Sequence, residues 1–283
     1  MIAITGASGQ LGRLVIGNLI KKIKPSRLIA IVRNPERVAG LKALGIEVRK
    51  ADYSHAETLL AALQGIEKLL LISSSEIGKR RAQHANVIEA AKGAGVQLIA
   101  YTSVLHADTS PLPLALEHRE TEAILAASGI PYVLLRNGWY TENYTAGIPV
   151  ALEHGALLGC AGDGKIASAA RADYATAAAK VLLSDNRQEQ VYELAGDSAY
   201  SLSELAQEIS NQSGKKVVYT NLSQNEYKNA LLGAGLPDPL AELLAESDNG
   251  AAQGGLFDGG GQLNKLIGRA TTPMAESVRA ALS

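Results

Sequence analysis

Three glycines, Gly6, Gly9 and Gly12, lie in the stretch Thr5-Gly6-Ala7-Ser8-Gly9-Gln10-Leu11-Gly12. They follow a short apolar run, Ile2 to Ile4, and open a stretch of helical period. Backbone without Cβ atoms lets a pyrophosphate rest against amide N–H groups at the positive end of a helix. Ser8, Gln10 and Leu11 fall inside the same loop and share that contact. The spacing alone also fits an ordinary glycine-rich turn. Its place straight after the first strand makes it a dinucleotide site.

Later strand ends carry the residues that would read the rest of a dinucleotide. Arg33 closes the second apolar run, where an NAD-selecting site usually has Asp or Glu for the ribose 2′-hydroxyl. A guanidinium suits a 2′-phosphate instead, so NADPH is expected over NADH. The competing reading is a surface charge at a strand end, paired with Glu36. Asp52 ends the third run and either accepts from an adenine amino group or simply starts a loop beside Tyr53. Ser73, Ser74 and Ser75 end the fourth run. They are small enough for backbone contact with the nicotinamide-side ribose, and a polar turn would look the same.

These residues need strands and helices in strict alternation. The apolar runs 2–5, 28–33, 47–53, 68–74, 96–103 and 131–138 are rich in Leu and β-branched residues and do not alternate in polarity. That pattern belongs to strands covered on both faces. Helical stretches separate them, over about 11–22, 80–94 and 114–128 among others. The expected fold is therefore α/β, a Rossmann-like doubly wound parallel sheet, with a smaller C-terminal α/β cap. Residues 1–145, with a returning segment at about 165–197, form the NADP-binding domain, and 198–283 the smaller substrate-side domain. Ser201 or Ser203 caps a helix that Gly214 ends.

Composition removes several function classes. The 283 residues carry a net charge of −1, so no broad basic field favours nucleic acid. No apolar stretch approaches the ~18 residues of a membrane span. The five histidines are dispersed, without metal-ligand spacing, and no metal is expected. Cys160 is the only cysteine, which points to a packed thiol in a reducing cytoplasm. A homo-oligomer is compatible with all of this.

The segments "TGASGQLG", "IVRNPER", "KLLLISSSE", "YTSVLHADTSPL", "EHRETE" and "LLRNGWYTENY" resemble the NmrA-like group of atypical short-chain dehydrogenase/reductases. Within that group they are most similar to the type 2 NAD(P)H:quinone oxidoreductases, with triphenylmethane reductase a near relative. The resemblance spans nearly the whole chain. It implies NADPH, a quinone-type acceptor and direct hydride transfer without flavin. It also implies that the Gly6 to Gly12 loop, Arg33, Ser73 to Ser75 and the stretch Asn137, Gly138, Trp139, Tyr140, Thr141 and Glu142 contact the cofactor.

The usual short-chain pattern is a Ser near the end of strand five, then Tyr and Lys four apart on the next helix. Ser103 fills the first place. Leu114 and His118 stand where the Tyr and Lys would be, so carbonyl reduction by that route is not expected. A quinone asks for less, because its product is aromatic and its developing oxyanion is delocalised. His118, Asn137 and Tyr140 are the candidate catalytic side chains. His118 would bond the ribose or donate a proton, with Glu122, four residues on, orienting the ring or raising its pKa; otherwise it is a surface histidine. Asn137 would bond the ribose, and Trp139 or Tyr140 would wall a flat ring. Two other functions fit the missing Tyr and Lys: a non-catalytic NADP(H) sensor with a protein partner, and a reductase of triarylmethane dyes.

Overall fold

The short apolar runs do become strands. The computed structural model describes residues 1–185 and 189–283. In chain order the first half gives β1 (Ile2–Ile4), α1 (Gln10–Leu19), β2 (Leu28–Val32), α2 (Ala39–Ala43), β3 (Glu47–Lys50), α3 (Ala56–Ala62), β4 (Lys68–Leu71), α4 (Arg80–Gly93), β5 (Leu98–Val104), α5 (Ala115–Ser128) and β6 (Tyr132–Asn137). Then come α6 (Glu142–Thr145), α7 (Ile148–His154), β7 (Ala156–Gly159), α8 (Arg171–Leu183), β8 (Gln190–Leu194), α9 (Leu202–Ser213), β9 (Val218–Asn221), α10 (Gln224–Gly233), α11 (Asp238–Ala252), α12 (Gln262–Ile267) and α13 (Met274–Leu282).

The main sheet has seven strands in the order β3-β2-β1-β4-β5-β6-β8. Each neighbouring pair from β3 through to β6 is parallel. Every residue of β1, β2, β4 and β5 is buried, as continuous apolar runs require when helices cover both faces. The order reverses between β1 and β4. Ligands of such sheets bind at that switch point, beyond the carboxyl ends of the strands.

The described residues divide into two units. The first holds Met1–Ala107, Leu116–Asn137 and Arg171–Tyr192. Its core joins Ala3, Ile29, Leu69, Leu71 and Tyr101 from the sheet to Leu59, Val87 and Leu125 from the helices. α1 buries Leu11, Val15, Ile16 and Leu19, the i, i+4, i+5, i+8 stripe of a one-faced helix. Its Asn18 Nδ2 donates to Thr176 Oγ1 of α8 at 3.3 Å.

The second unit holds Asp108–Ala115, Gly138–Ala170 and Glu193–Ser283. β7 and β9 form a separate two-stranded parallel sheet within it. α9 starts with a reciprocal capping box between Ser201 and Glu204 and ends at Gly214 in the left-handed region. Of the two cap candidates, Ser201 takes the position because its backbone is extended while Ser203 is already helical.

The third strand is shorter than its sequence run of 47–53. Asp52 Oδ1 accepts from Ser54 N at 2.9 Å, and this local turn competes with continued pairing. β7 has no counterpart among the expected strands. Gly155, at φ 67°, ends α7, and the four residues that follow pair with β9 far along the chain. No periodicity within such a short segment signals so distant a partner.

Candidate functional site

The glycine loop is shaped by what a side chain would strike. Gly6 has φ +58°, a conformation that costs glycine little and other residues more. Gly9 N donates to Gly6 O at 2.9 Å, folding the loop back on itself. A Cβ on Gly12 would lie 2.6 Å from Gly6 O and 2.8 Å from Ala7 Cα, inside contact distance of backbone. At Gly9 the nearest atom, again Gly6 O, would be 3.2 Å away. Gly9 is the N-cap of α1 and supplies no side-chain cap, so first-turn amides keep their donors. Around the loop, Ser8 O accepts from Arg13 Nε at 3.0 Å, and Gln10 Oε1 accepts from Arg171 Nη1. Leu11 is buried and holds the helix start against the sheet.

Arg33 lies just past β2. Its Nη1 donates to Glu76 Oε1 at 2.8 Å, so the competing pairing with Glu36 does not form. The neighbouring turn explains the choice. Asn34 Oδ1 accepts from Glu36 N at 3.0 Å, which commits residues 35–38 to a tight turn. Asp52 is engaged with Ser54 N, and its Oδ2 lies 3.7 Å from His55 Nδ1. Beside it, Tyr53 donates its hydroxyl to Ile72 O at 2.9 Å.

The serine turn is held from beneath. Ser73 N donates to Thr102 Oγ1 at 2.9 Å. Ser74 N donates to His84 Nε2 at 2.9 Å, and Arg80 Nε donates to Ser74 O at 2.5 Å. Ser75 is exposed. Because His84 Nε2 accepts, its proton sits on Nδ1 and goes to Thr121 Oγ1 at 2.9 Å. Burial, with the Arg80 charge adding to it, pushes the His84 pKa down to about 3. It is a neutral strut.

His118, on the first turn of α5, is 4% exposed, so it is not a surface histidine. Its Nδ1 lies 2.7 Å from the Tyr101 hydroxyl. Burial, then the nearby Arg80 and His84, holds its pKa well below the usual histidine value. Glu122 neither orients the ring nor raises its pKa. Its carboxylate takes Arg136 of β6 through Nε at 3.0 Å and Nη2 at 2.7 Å, and accepts from Ser103 Oγ at 2.5 Å. A planar guanidinium matched to both oxygens outcompetes an imidazole one turn away. Asn137 ends β6. It is 5% exposed and its Oδ1 is buried with no hydrogen-bond partner among the described residues.

The rest of the Asn137 to Glu142 stretch belongs to the second unit. Gly138 N donates to Leu194 O at 2.7 Å. Trp139 and Tyr140 are half-buried, and Tyr140 bridges to Ala169. Thr141 is buried, its hydroxyl 2.8 Å from Ser168 Oγ, while Glu142 begins α6 half-buried. Deeper in this unit Asp248 accepts from Tyr144 Oη at 3.2 Å and from Cys160 N at 3.1 Å. Burial pushes its pKa up to about 6, and the same surroundings push the Cys160 thiol up to about 12. Among the described residues no group of three or more His, Cys, Asp or Glu is placed to hold a metal.

The model of the NAD(P)H-binding family matches residues 6–185. The chain is 62% identical, over 98% of its length and 97% of the relative's, to quinone oxidoreductase 2 of Escherichia coli K12. The chain belongs to the NmrA-like NAD(P)H-binding family. Among solved structures it resembles the E. coli NADPH-dependent quinone oxidoreductase QOR2 complexed with NADPH, at TM-score 0.97 and 61% identity over the whole of both chains. It also resembles Citrobacter sp. triphenylmethane reductase complexed with NADP(H), at TM-score 0.96 and 42% identity, covering 99% of this chain and all of that one.

The first unit of this NAD(P)H-binding protein has the features a dinucleotide needs. Gly12 lets the start of α1 pack directly on the Gly6–Ala7 backbone, α1 offers uncapped amides, and Asn137 Oδ1 is an acceptor without a donor among the described residues. Tyr101, His84, Arg80 and Thr102 stand behind these residues, and no motif in the chain marks them for the site. A weak signal for them exists. Arg80 and His84 on α4, and Glu117 and Thr121 on α5, are polar pairs four apart, all but half-buried Glu117 being buried.

Proposed function

We propose that the protein is an NADPH-dependent reductase that passes hydride directly to a quinone-type acceptor, without flavin. The observation that carries this reading is the likeness, over the full chain, to E. coli quinone oxidoreductase 2, whose structure was solved with NADPH. The dinucleotide, when bound, supplies a hydride; water supplies the proton that completes the hydroquinone.

The side chains divide the remaining work. Gly6, Gly9, Gly12 and the first turn of α1, with Ser8, Gln10 and Leu11 around them, receive the pyrophosphate. Arg33 receives the 2′-phosphate, and its exchange of Glu76 for a phosphate keeps the cation paired. Asp52 faces the adenine amino group, and the Ser73 to Ser75 turn the nicotinamide-side ribose. Asn137 Oδ1 accepts from a ribose hydroxyl or the carboxamide, which would satisfy its buried lone pairs. His118 donates to an oxygen of the cofactor or acceptor. Gly138 and Thr141 fix the backbone that carries Trp139 and Tyr140, the aromatic contacts for a flat ring, with Glu142 following. A neutral His118 and no Tyr–Lys pair give little acid assistance, which suits an acceptor whose product is aromatic. No described helix is long and apolar enough to cross a membrane. A single buried free thiol, Cys160, suits a reducing cytoplasm.

Steady-state oxidation of NADPH with 1,4-benzoquinone and a naphthoquinone tests the reading. Turnover above the uncatalysed rate supports it. Tight NADPH binding without turnover refutes it and leaves the sensor reading. The likeness to triphenylmethane reductase favours one second reading, an acceptor that is a conjugated triarylmethane cation. Comparing kcat/KM for dye and quinone decides between them.

A further inference from the structure

We propose that Tyr101 is a positioning residue: its phenol donates to His118 Nδ1 and so fixes the proton of a neutral His118 on Nε2, ready to donate to an oxygen of the bound dinucleotide or its electron acceptor. The role of that donor rests on the functional reading above; the location of the proton does not.

Three groups set the direction of the hydrogen bond. The Tyr101 side chain is fully buried, and burial pushes its pKa up, so it carries its proton. Thr121 Oγ1, the other hydroxyl that influences it, is committed: it donates to Glu117 O at 2.9 Å and accepts from His84 Nδ1 at 2.9 Å. An imidazole lone pair is a better acceptor than a hydroxyl that already accepts once. The 2.7 Å contact is therefore phenol to Nδ1.

A neutral ring that accepts at Nδ1 donates at Nε2. Burial first, then the charges of Arg80 on α4 and His84, disfavour a second proton on the ring. No described residue accepts from Nε2. Nε2 is not sealed from solvent, so water can take its hydrogen bond and a ligand oxygen can replace that water. The arrangement also relocates a familiar component. The hydroxyl comes from the sheet, at Tyr101 of β5, rather than from Leu114 before the helix, and it acts on His118 rather than on substrate.

Long-range 1H–15N correlation spectra of the full chain at neutral pH read the proton directly, with His118→Asn used to assign the ring. The expected pattern is a pyridine-type Nδ1 and a pyrrole-type Nε2. In Tyr101→Phe the preference for Nε2–H should be lost, together with a several-fold fall, up to about tenfold, in NADPH affinity or in kcat. Addition of NADPH to the parent protein should shift Nε2 more than Nδ1. A protonated Nδ1 or an imidazolium in the parent protein overturns the proposal whether or not Tyr101→Phe folds. So does a Tyr101→Phe protein with the tautomer, affinity and kcat all unchanged. If the tautomer is as expected but no quinone is reduced, the functional reading fails and the proton assignment stands.

Discussion

The Arg33 guanidinium donates to the Glu76 carboxylate at 2.8 Å, reaching from the end of β2 past β1 to the loop after β4. The cation assigned to the 2′-phosphate thus already has an anionic partner within its own unit. Arg33 is 65% exposed and Glu76 32%, so water weakens the pair and a phosphate can displace it. Glu76 then acts as a competitor and, once displaced, as a like charge near the phosphate. Glu76→Gln should tighten NADPH several-fold and leave NADH nearly unchanged. Arg33→Asp should weaken NADPH by about 10- to 100-fold, the range of a charge-assisted hydrogen bond, with little effect on NADH. Dissociation constants from nicotinamide fluorescence check both. Weaker NADPH binding in Glu76→Gln would mean that the carboxylate holds Arg33 in place rather than competing for it.

Gly12 and Gly17 lie on the same helix and should respond in opposite ways. Alanine at Gly12 puts Cβ within 2.6 Å of Gly6 O, and both clashing groups are backbone. Overpacking of this kind costs about 1–3 kcal/mol, more than the helix propensity that alanine gains. Gly17 has nothing within 4 Å of its would-be Cβ. Gly12→Ala should lower Tm and weaken NADPH more than tenfold. Gly17→Ala should leave binding alone and stabilise by up to about 1 kcal/mol. Thermal melts with and without NADPH measure both effects.

What the sequence revealed depended on range. The glycine loop and the parallel strands were legible because their physics is local: close backbone approach and unbroken apolar runs. His118 could be placed on its helix, yet not its burial or its partner, because Tyr101 arrives from β5. Glu122 misled for the same reason. Its i,i+4 neighbour is visible in the chain, whereas Arg136 comes from a strand that follows the helix. Arg33 drew the nearby Glu36 as a partner, but the turn capped by Asn34 hands the pairing to Glu76.

That Glu122–Arg136 pair is itself a stability element. Its side chains are only 11% and 10% exposed, and the contact is bidentate. Glu122→Gln removes the charge from two charge-assisted hydrogen bonds in a nearly buried site, at a cost of about 1.5–3 kcal/mol. Glu122→Gln should therefore lower the urea midpoint markedly with an unchanged m-value. A shift below ~1 kcal/mol would show that water reaches the guanidinium and screens it.

Acid should expose the neutral strut under the serine turn. His84 on α4 faces Ser74 N and Thr121, the rings of Tyr53 and Tyr101 lie edge-on to it, and Arg80 adds positive charge. Its folded pKa is about 3. In the unfolded chain a histidine titrates near 6.5. Between those values the unfolded chain binds the extra proton, so stability falls as pH falls. The stabilisation is fully present above pH ~6.5 and is lost progressively toward pH ~3. Asp248 works in the opposite sense: its folded pKa of about 6 lies above its ordinary 3.8, so it favours the folded state as pH drops through that window. Comparing the parent protein with His84→Gln separates the two. From pH 7.5 to 5 in urea titrations the parent should lose stability, with Asp248 offsetting part of the loss below pH 6, and the variant, whatever its absolute stability, should lose less or gain. Parallel slopes would mean that His84 is protonated in the folded protein and that Ser74 N has another acceptor.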